Sequence, residues 1–111
     1  MEIQIRRESK ATVVTVTGRM DTLTAPAYQA KLNDLIAEGT TSFVIDFDGL
    51  DYISSAGLRV ILSTAKVVKG KGGQVRFANV KETVREVFEV SGFGSIFPMH
   101  DSVTVALAEI G

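Results

Sequence analysis

Apolar and polar residues alternate twice within the first eighteen positions. Ile3 and Ile5 stand among polar neighbours, Glu8-Ser9-Lys10 interrupts, and Val14 and Val16 then alternate with Thr15 and Thr17. Two period-2 runs around a short polar break predict a β-hairpin, with Gly18 ending its second strand. The period then changes. From Leu23 to Glu38, the residues Tyr28, Leu32, Leu35 and Ile36 fall at helical spacing. Asp21, Thr22 or Thr24 can cap this helix, Pro26 suits its first turn, and Gly39 marks its end.

Phe43-Val44-Ile45 running into Asp46 reads as a short buried strand, and Asp48 to Ser54 as a loop. Leu58, Ile61, Leu62, Ala65 and Val68 form one helical stripe, which Gly70, Gly72 and Gly73 bring to a close. Val75 to Ala78 predicts another strand. Val80, Val84, Val87 and Phe88 are spaced for a third helix ending at Gly92. Ile96 and Phe97 are read as a short last strand, and Asp101 or Ser102 as the cap of a final helix holding Val105, Ala106 and Ala108. Alternating strands and helices after a hairpin point to an α/β domain, its sheet joined by helical crossovers. With no repeat, linker or low-complexity tract, residues 1–111 read as one domain.

Composition narrows the function. The 111 residues carry a formal net charge of -1, so no strong field draws nucleic acid or an anionic membrane. The chain has no cysteine, which removes disulfides, thiolate metal sites and thiol nucleophiles together. No apolar run approaches the roughly 20 residues of a membrane span. Met1 to Lys10 shows no apolar signal-like core. The expectation is a cytoplasmic protein without membrane insertion.

The chemistry-bearing candidates are few. His100 is the only histidine, so a multi-histidine metal site is excluded, and it reads as a surface or helix-capping residue. Asp46, Asp48 and Asp51 follow a strand, where carboxylates can hold Mg²⁺, but nothing else completes such a site. Lys69-Gly70-Lys71-Gly72-Gly73 has the composition of a phosphate loop in the reverse context, after a helix and before a strand. No metal and no cofactor is expected.

Ser54 and Ser55 stand apart. They lie where a helix begins, among unpaired backbone N–H groups and partial positive charge. A serine there can cap the helix, or it can carry a phosphate that the helix end favours. The small Ala56 and Gly57 follow, and small residues let another molecule approach the backbone. On this same helix, Val60, Thr64 and Val67 fall opposite the main stripe, flanked by Arg59, Ser63 and Lys66. Apolar residues on both sides mean either a sandwiched helix or a contact surface.

The run Val44-Ile45-Asp46-Phe47-Asp48-Gly49-Leu50-Asp51-Tyr52-Ile53-Ser54-Ser55-Ala56-Gly57-Leu58 resembles the core of the bacterial anti-sigma-factor antagonists, the STAS domain family. Gly18-Arg19-Met20-Asp21, Gly72-Gly73 and Val87-Phe88-Glu89-Val90-Ser91-Gly92-Phe93 agree with that family in order and position. The resemblance implies a mixed, mostly parallel sheet with an N-terminal hairpin, flanked by about four helices. It also implies a regulatory protein that is not an enzyme. Such a protein binds a cognate serine kinase that doubles as an anti-sigma factor. It lets go when one serine is phosphorylated and is restored by a PP2C-type phosphatase. Alignment on Gly57-Leu58 puts the modified serine at Ser55. Ser54 occupies the family's aspartate position and becomes a secondary acceptor candidate. Asp21, Ser54, Ala56, Gly57, Arg59, Val60, Ser63 and Val67 are then the expected partner-binding residues, on a protein that is monomeric when free.

Two other functions compete. A non-switching STAS subunit of a lipid-transport or other multiprotein assembly would use the same helix face, with both serines only capping. A small nucleotide-binding or phosphotransfer enzyme would need a bound nucleotide or a metal-dependent turnover, and the absence of a Walker motif and the single histidine count against it.

Overall fold

The computed structural model of the protein describes residues 1–93 and 96–110. Its chain order is β1 (Glu2–Arg7), β2 (Thr12–Met20), α1 (Ala25–Ala37), β3 (Ser42–Ile53), α2 (Ser55–Gly70), β4 (Gln74–Ala78), α3 (Glu82–Val90), β5 (Met99–His100) and α4 (Val103–Glu109). The strands lie side by side in the order β1-β2-β3-β4-β5. Among the described residues the expected hairpin is the one antiparallel pair, with Ile5 opposite Val14, and the remaining pairs are parallel.

Period-2 alternation sends the strand residues to two different layers. Val14, Val16, Phe43, Ile45, Val75 and Phe77 pack with the stripes of α1, α2 and α3 into the main core. Val13, Val44 and Ala78 point the other way, where Ala106 of α4 and Ile110 just after it cover them. At the centre of the main core, the Phe77 ring lies 5.6 Å from Phe47, 5.7 Å from Phe88 and 5.8 Å from Phe97 between centroids.

Three expectations are corrected. The stretch read as a loop, Asp48 to Ser54, is largely strand, since β3 runs on to Ile53. Its pairing with β2 slips twice, from Thr15↔Asp46 to Thr17↔Gly49 and from Gly18↔Leu50 to Arg19↔Tyr52. Each slip adds one residue to β3, as in a β-bulge. The buried positions Phe47, Leu50 and Ile53 therefore recur every third residue, and the alternation that marks a strand is lost. Gly49 faces the side chain of Thr17 at the first slip, where a Cβ would collide.

Gly18, at a φ of +98°, lies within β2 and does not end it. The last described strand is Met99–His100, not Ile96-Phe97. Phe97 is apolar because its ring is buried edge-on against Phe77.

Candidate functional site

β2 and β3 end together at the pair Met20↔Ile53, and α2 starts at once. Ser54 joins the two in an extended conformation, φ −92° and ψ 172°. Its N–H donates to the Met20 carbonyl at 2.9 Å, and its own carbonyl accepts from Leu58 N–H at 2.9 Å. Its hydroxyl oxygen accepts from Gly57 N–H at 3.1 Å. Ser54 is thus the helix cap, with its N–H, its carbonyl and its hydroxyl oxygen each engaged. Ser55 is the first helical residue. It is exposed, and no hydrogen bond among the described residues uses its hydroxyl. Of the two serines, Ser54 takes the capping role, and Ser55 is left with an exposed hydroxyl.

Gly57 is buried. A Cβ there would lie 2.8 Å from the Met20 carbonyl oxygen, 3.0 Å from Met20 Cγ and 3.1 Å from Ile53 Cγ1. The missing side chain lets α2 sit directly on the ends of β2 and β3. That internal close approach accounts for the small residue, where the sequence suggested room for a partner. Ala56 beside it is half-buried.

The turn after β2 forms the neighbouring wall. One Asp21 carboxylate oxygen accepts from Leu23 N–H at 3.0 Å and from Thr24 N–H at 3.1 Å. Asp21 N–H donates to Thr24 Oγ1 at 2.9 Å, and that hydroxyl is 2.8 Å from the Arg19 carbonyl. Asp21 thus organises the start of α1, whose cap residue Thr24 makes no capping bond of its own. The Thr24 N–H holds the Asp21 carboxyl below its ordinary range, with smaller contributions from Leu23 and Arg19. Around this wall, Leu23 is 89% exposed, and Tyr52 is exposed with the Arg19 guanidinium 4.1 Å above its ring.

α2 carries Arg59, Lys66 and Lys69 and no acidic residue. Arg59, Ser63, Lys66 and Val67 are exposed on its outer face. They border a groove of about 660 Å³ that runs from Ser55 past Leu58 and Leu62 to Ser91 and Phe93 beyond α3. The second apolar side of α2 is mostly sandwiched. Thr64 is buried and donates to the Val60 and Ile61 carbonyls, each at 3.0 Å. It also meets the buried hydroxyl of Tyr28 on α1, whose pKa burial pushes well above the usual tyrosine value. Val60 is half-buried against the core, and of the three residues only Val67 stays outward.

The remaining candidates disperse. Asp46 accepts from Asp48 N–H at 3.0 Å and from Asn79 Nδ2 at 2.9 Å, whereas Asp51 pairs with Lys81 Nζ at 2.7 Å. No group of three metal-ligating side chains forms among the described residues. His100 is a strand residue and not a helix cap. It pairs with Ala78, and its Nε2 lies 3.1 Å from Arg76 Nη1.

The family model described as the STAS domain matches residues 2–106. This chain belongs to the STAS domain family. Among relatives, BtrV of Bordetella bronchiseptica, a candidate anti-sigma factor antagonist, is 41% identical over 96 residues, 86% of this chain and 83% of BtrV. The anti-sigma-B factor antagonist of Bacillus subtilis is 27% identical over 96 residues, 86% of this chain and 87% of that protein. Among solved structures, unphosphorylated SpoIIAA, an anti-sigma factor antagonist, superposes with a TM-score of 0.86 at 22% identity, covering 98% of this chain and 96% of its own. The phosphorylated form of Bacillus SpoIIAA gives 0.79 at 22% identity, covering 99% and 100%. At that identity the two SpoIIAA structures establish a shared fold.

In this STAS domain the sequence did not single out Leu23, Tyr52, Ser91 or Phe93 as site residues. Tyr52 fell in the supposed loop, and Phe93 carried no local signal beyond its position after Gly92. Two predictions follow from the capping geometry. Ser54→Ala removes the hydroxyl that holds Gly57 N–H and is expected to cost about 1 kcal/mol, measured by urea denaturation. The Asp21 carboxyl has a lowered folded pKa, so its contribution is complete above the unfolded value. That contribution is lost as pH falls through the folded value, below about pH 4. Asp21→Asn keeps an acceptor oxygen but not the titration. It is expected to show a smaller fall in Tm than the parent between pH 6 and pH 3.

Proposed function

We propose that this protein is an anti-sigma-factor antagonist working as a phosphorylation-controlled partner switch. Unphosphorylated, it binds a serine kinase that also acts as the anti-sigma factor. The kinase moves the γ-phosphoryl group of ATP onto Ser55 Oγ. The new O–P bond replaces the hydroxyl O–H, the proton passes to a base on the kinase, and ADP leaves. A PP2C-type phosphatase later hydrolyses the ester, returning the hydroxyl and inorganic phosphate. On this reading the protein is a cytoplasmic binder that is monomeric when free, and it catalyses nothing itself. No described helix is long and apolar enough to cross a membrane.

The observation that carries the reading is the separation of the two serines. Ser54 holds the helix start, and Ser55 offers a free hydroxyl one residue later. A modification at Ser55 therefore leaves the cap in place. The surface beside it supplies a reason for release. A helix with three cations and no acid suits an acidic partner surface. A phosphate adds about −1.5 to −2 charges at the edge of that surface. Held against acids or stripped of water, that charge costs several kcal/mol, and about 1.4 kcal/mol already means a tenfold loss of affinity. The names of BtrV and of the B. subtilis relative point to the same class of target.

Capture from extract of the native host tests the reading, with the parent protein, Ser55→Ala and Ser55→Asp as baits. A serine kinase retained by the parent and Ser55→Ala but lost from Ser55→Asp is the expected result, followed by phosphorylation of the parent at Ser55 by that kinase. Identical partners on all three baits, with no kinase among them, would instead support a constitutive subunit of a larger assembly.

A further inference from the structure

We propose that Arg59 receives the phosphate carried by Ser55, so that phosphorylation also withdraws Arg59 from the docking surface. The proposal rests on Ser55 being the modified residue, as argued above. Ser55 and Arg59 are four apart on α2 and lie one turn from each other on the same face. Both are exposed, and both border the groove that continues to Phe93. An anion preceding a cation at this spacing is the favourable orientation on a helix. The guanidinium fork also matches two phosphate oxygens better than an ammonium does.

Arg59 takes part in none of the ion pairs among the described residues, and α2 contains no acid. The acids at this end of the sheet have other partners: Asp21 holds the N–H groups of Leu23 and Thr24, and Asp51 holds Lys81. Lys66, the other cation bordering the groove, is eleven residues beyond Ser55 and too far along the helix to share the phosphate.

Before modification Arg59 is therefore free to meet a carboxylate of an acidic partner. Afterwards its fork is turned back onto its own helix. The partner then faces a new anion and has also lost a cation.

The test installs phosphoserine at position 55 by genetic-code expansion, without any kinase, in the parent, Arg59→Gln and Lys66→Gln. The phosphate is titrated by phosphorus NMR. The helix end and the cap are common to all three proteins, so they cancel. Arg59→Gln is expected to raise the second phosphate pKa by about 0.2–0.4 units, the size of one helical i,i+4 ion pair. Lys66→Gln is expected to leave it within about 0.1 unit of the parent. No shift in Arg59→Gln, or an equal shift in both variants, overturns the proposal. A kinase that ignores Ser55 would defeat the reading of function instead and leave this titration unaffected.

Discussion

Phe77→Ala is expected to lose about 3–5 kcal/mol of stability, the largest effect of any single change considered for this fold. Phe77 is fully buried, and its ring meets Phe47 from β3, Phe88 from α3 and Phe97 from the segment before β5. Removing it opens a cavity that three separate elements border, and those elements cannot all collapse inward at once. Against a total near 5–15 kcal/mol, such a loss brings the domain close to unfolding. Urea denaturation with an unchanged slope and a sharply lower midpoint is the expected record, with Tm lower by roughly 10–20 °C. Phe77→Leu should retain most of the stability. A Phe77→Ala variant within 1 kcal/mol of the parent would show that the aromatic cluster is not the centre of the core.

Gly57→Ala is expected to act on the fold and the site together. The new methyl group would press on the Met20 carbonyl oxygen, which already accepts from Ser54 N–H at 2.9 Å. That oxygen belongs to the backbone and is held by the sheet, so the strain falls on the start of α2. The expected loss is about 1–3 kcal/mol, as for overpacking elsewhere. The same displacement moves Ser55 relative to the Asp21 turn. On the proposed function, Gly57→Ala should therefore be phosphorylated more slowly than Ser54→Ala at matched stability. Equal rates would show that the kinase reads the serine without the geometry around it.

These two positions also show what the sequence could reveal. Phe77 and the stripe from Leu58 to Val68 were legible because strand and helix periods were intact there. The C-terminal half of β3 was not. Its two extra residues turned a period of two into a spacing of three, and a bulged strand then looked like a loop. Ile96-Phe97 failed for a different reason. Hydrophobicity reports burial, and Phe97 is buried as a ring on Phe77 without belonging to a strand.

At the site, the pair Ser54-Ser55 was visible, but the division of roles depends on which hydroxyl faces Gly57 N–H. Only the backbone angles at Ser54 decide that. Gly57 was legible as a position requiring a small residue. The molecule it makes room for is the protein itself. Helical spacing put Thr64 opposite the main stripe and left a sandwiched helix and a contact surface both open; the sandwich holds at Thr64 because α1 covers it through Tyr28, a contact between elements far apart in the chain.

The most direct test of the switch is the affinity of the captured kinase for two forms of this protein, one with a free Ser55 hydroxyl and one with phosphoserine at that position. Isothermal titration at physiological salt should show binding at least about tenfold weaker for the phosphorylated form, with the far-UV spectrum and Tm of the free protein little changed. Equal affinities would contradict the account and leave Ser55 as an ordinary residue in the first turn of α2.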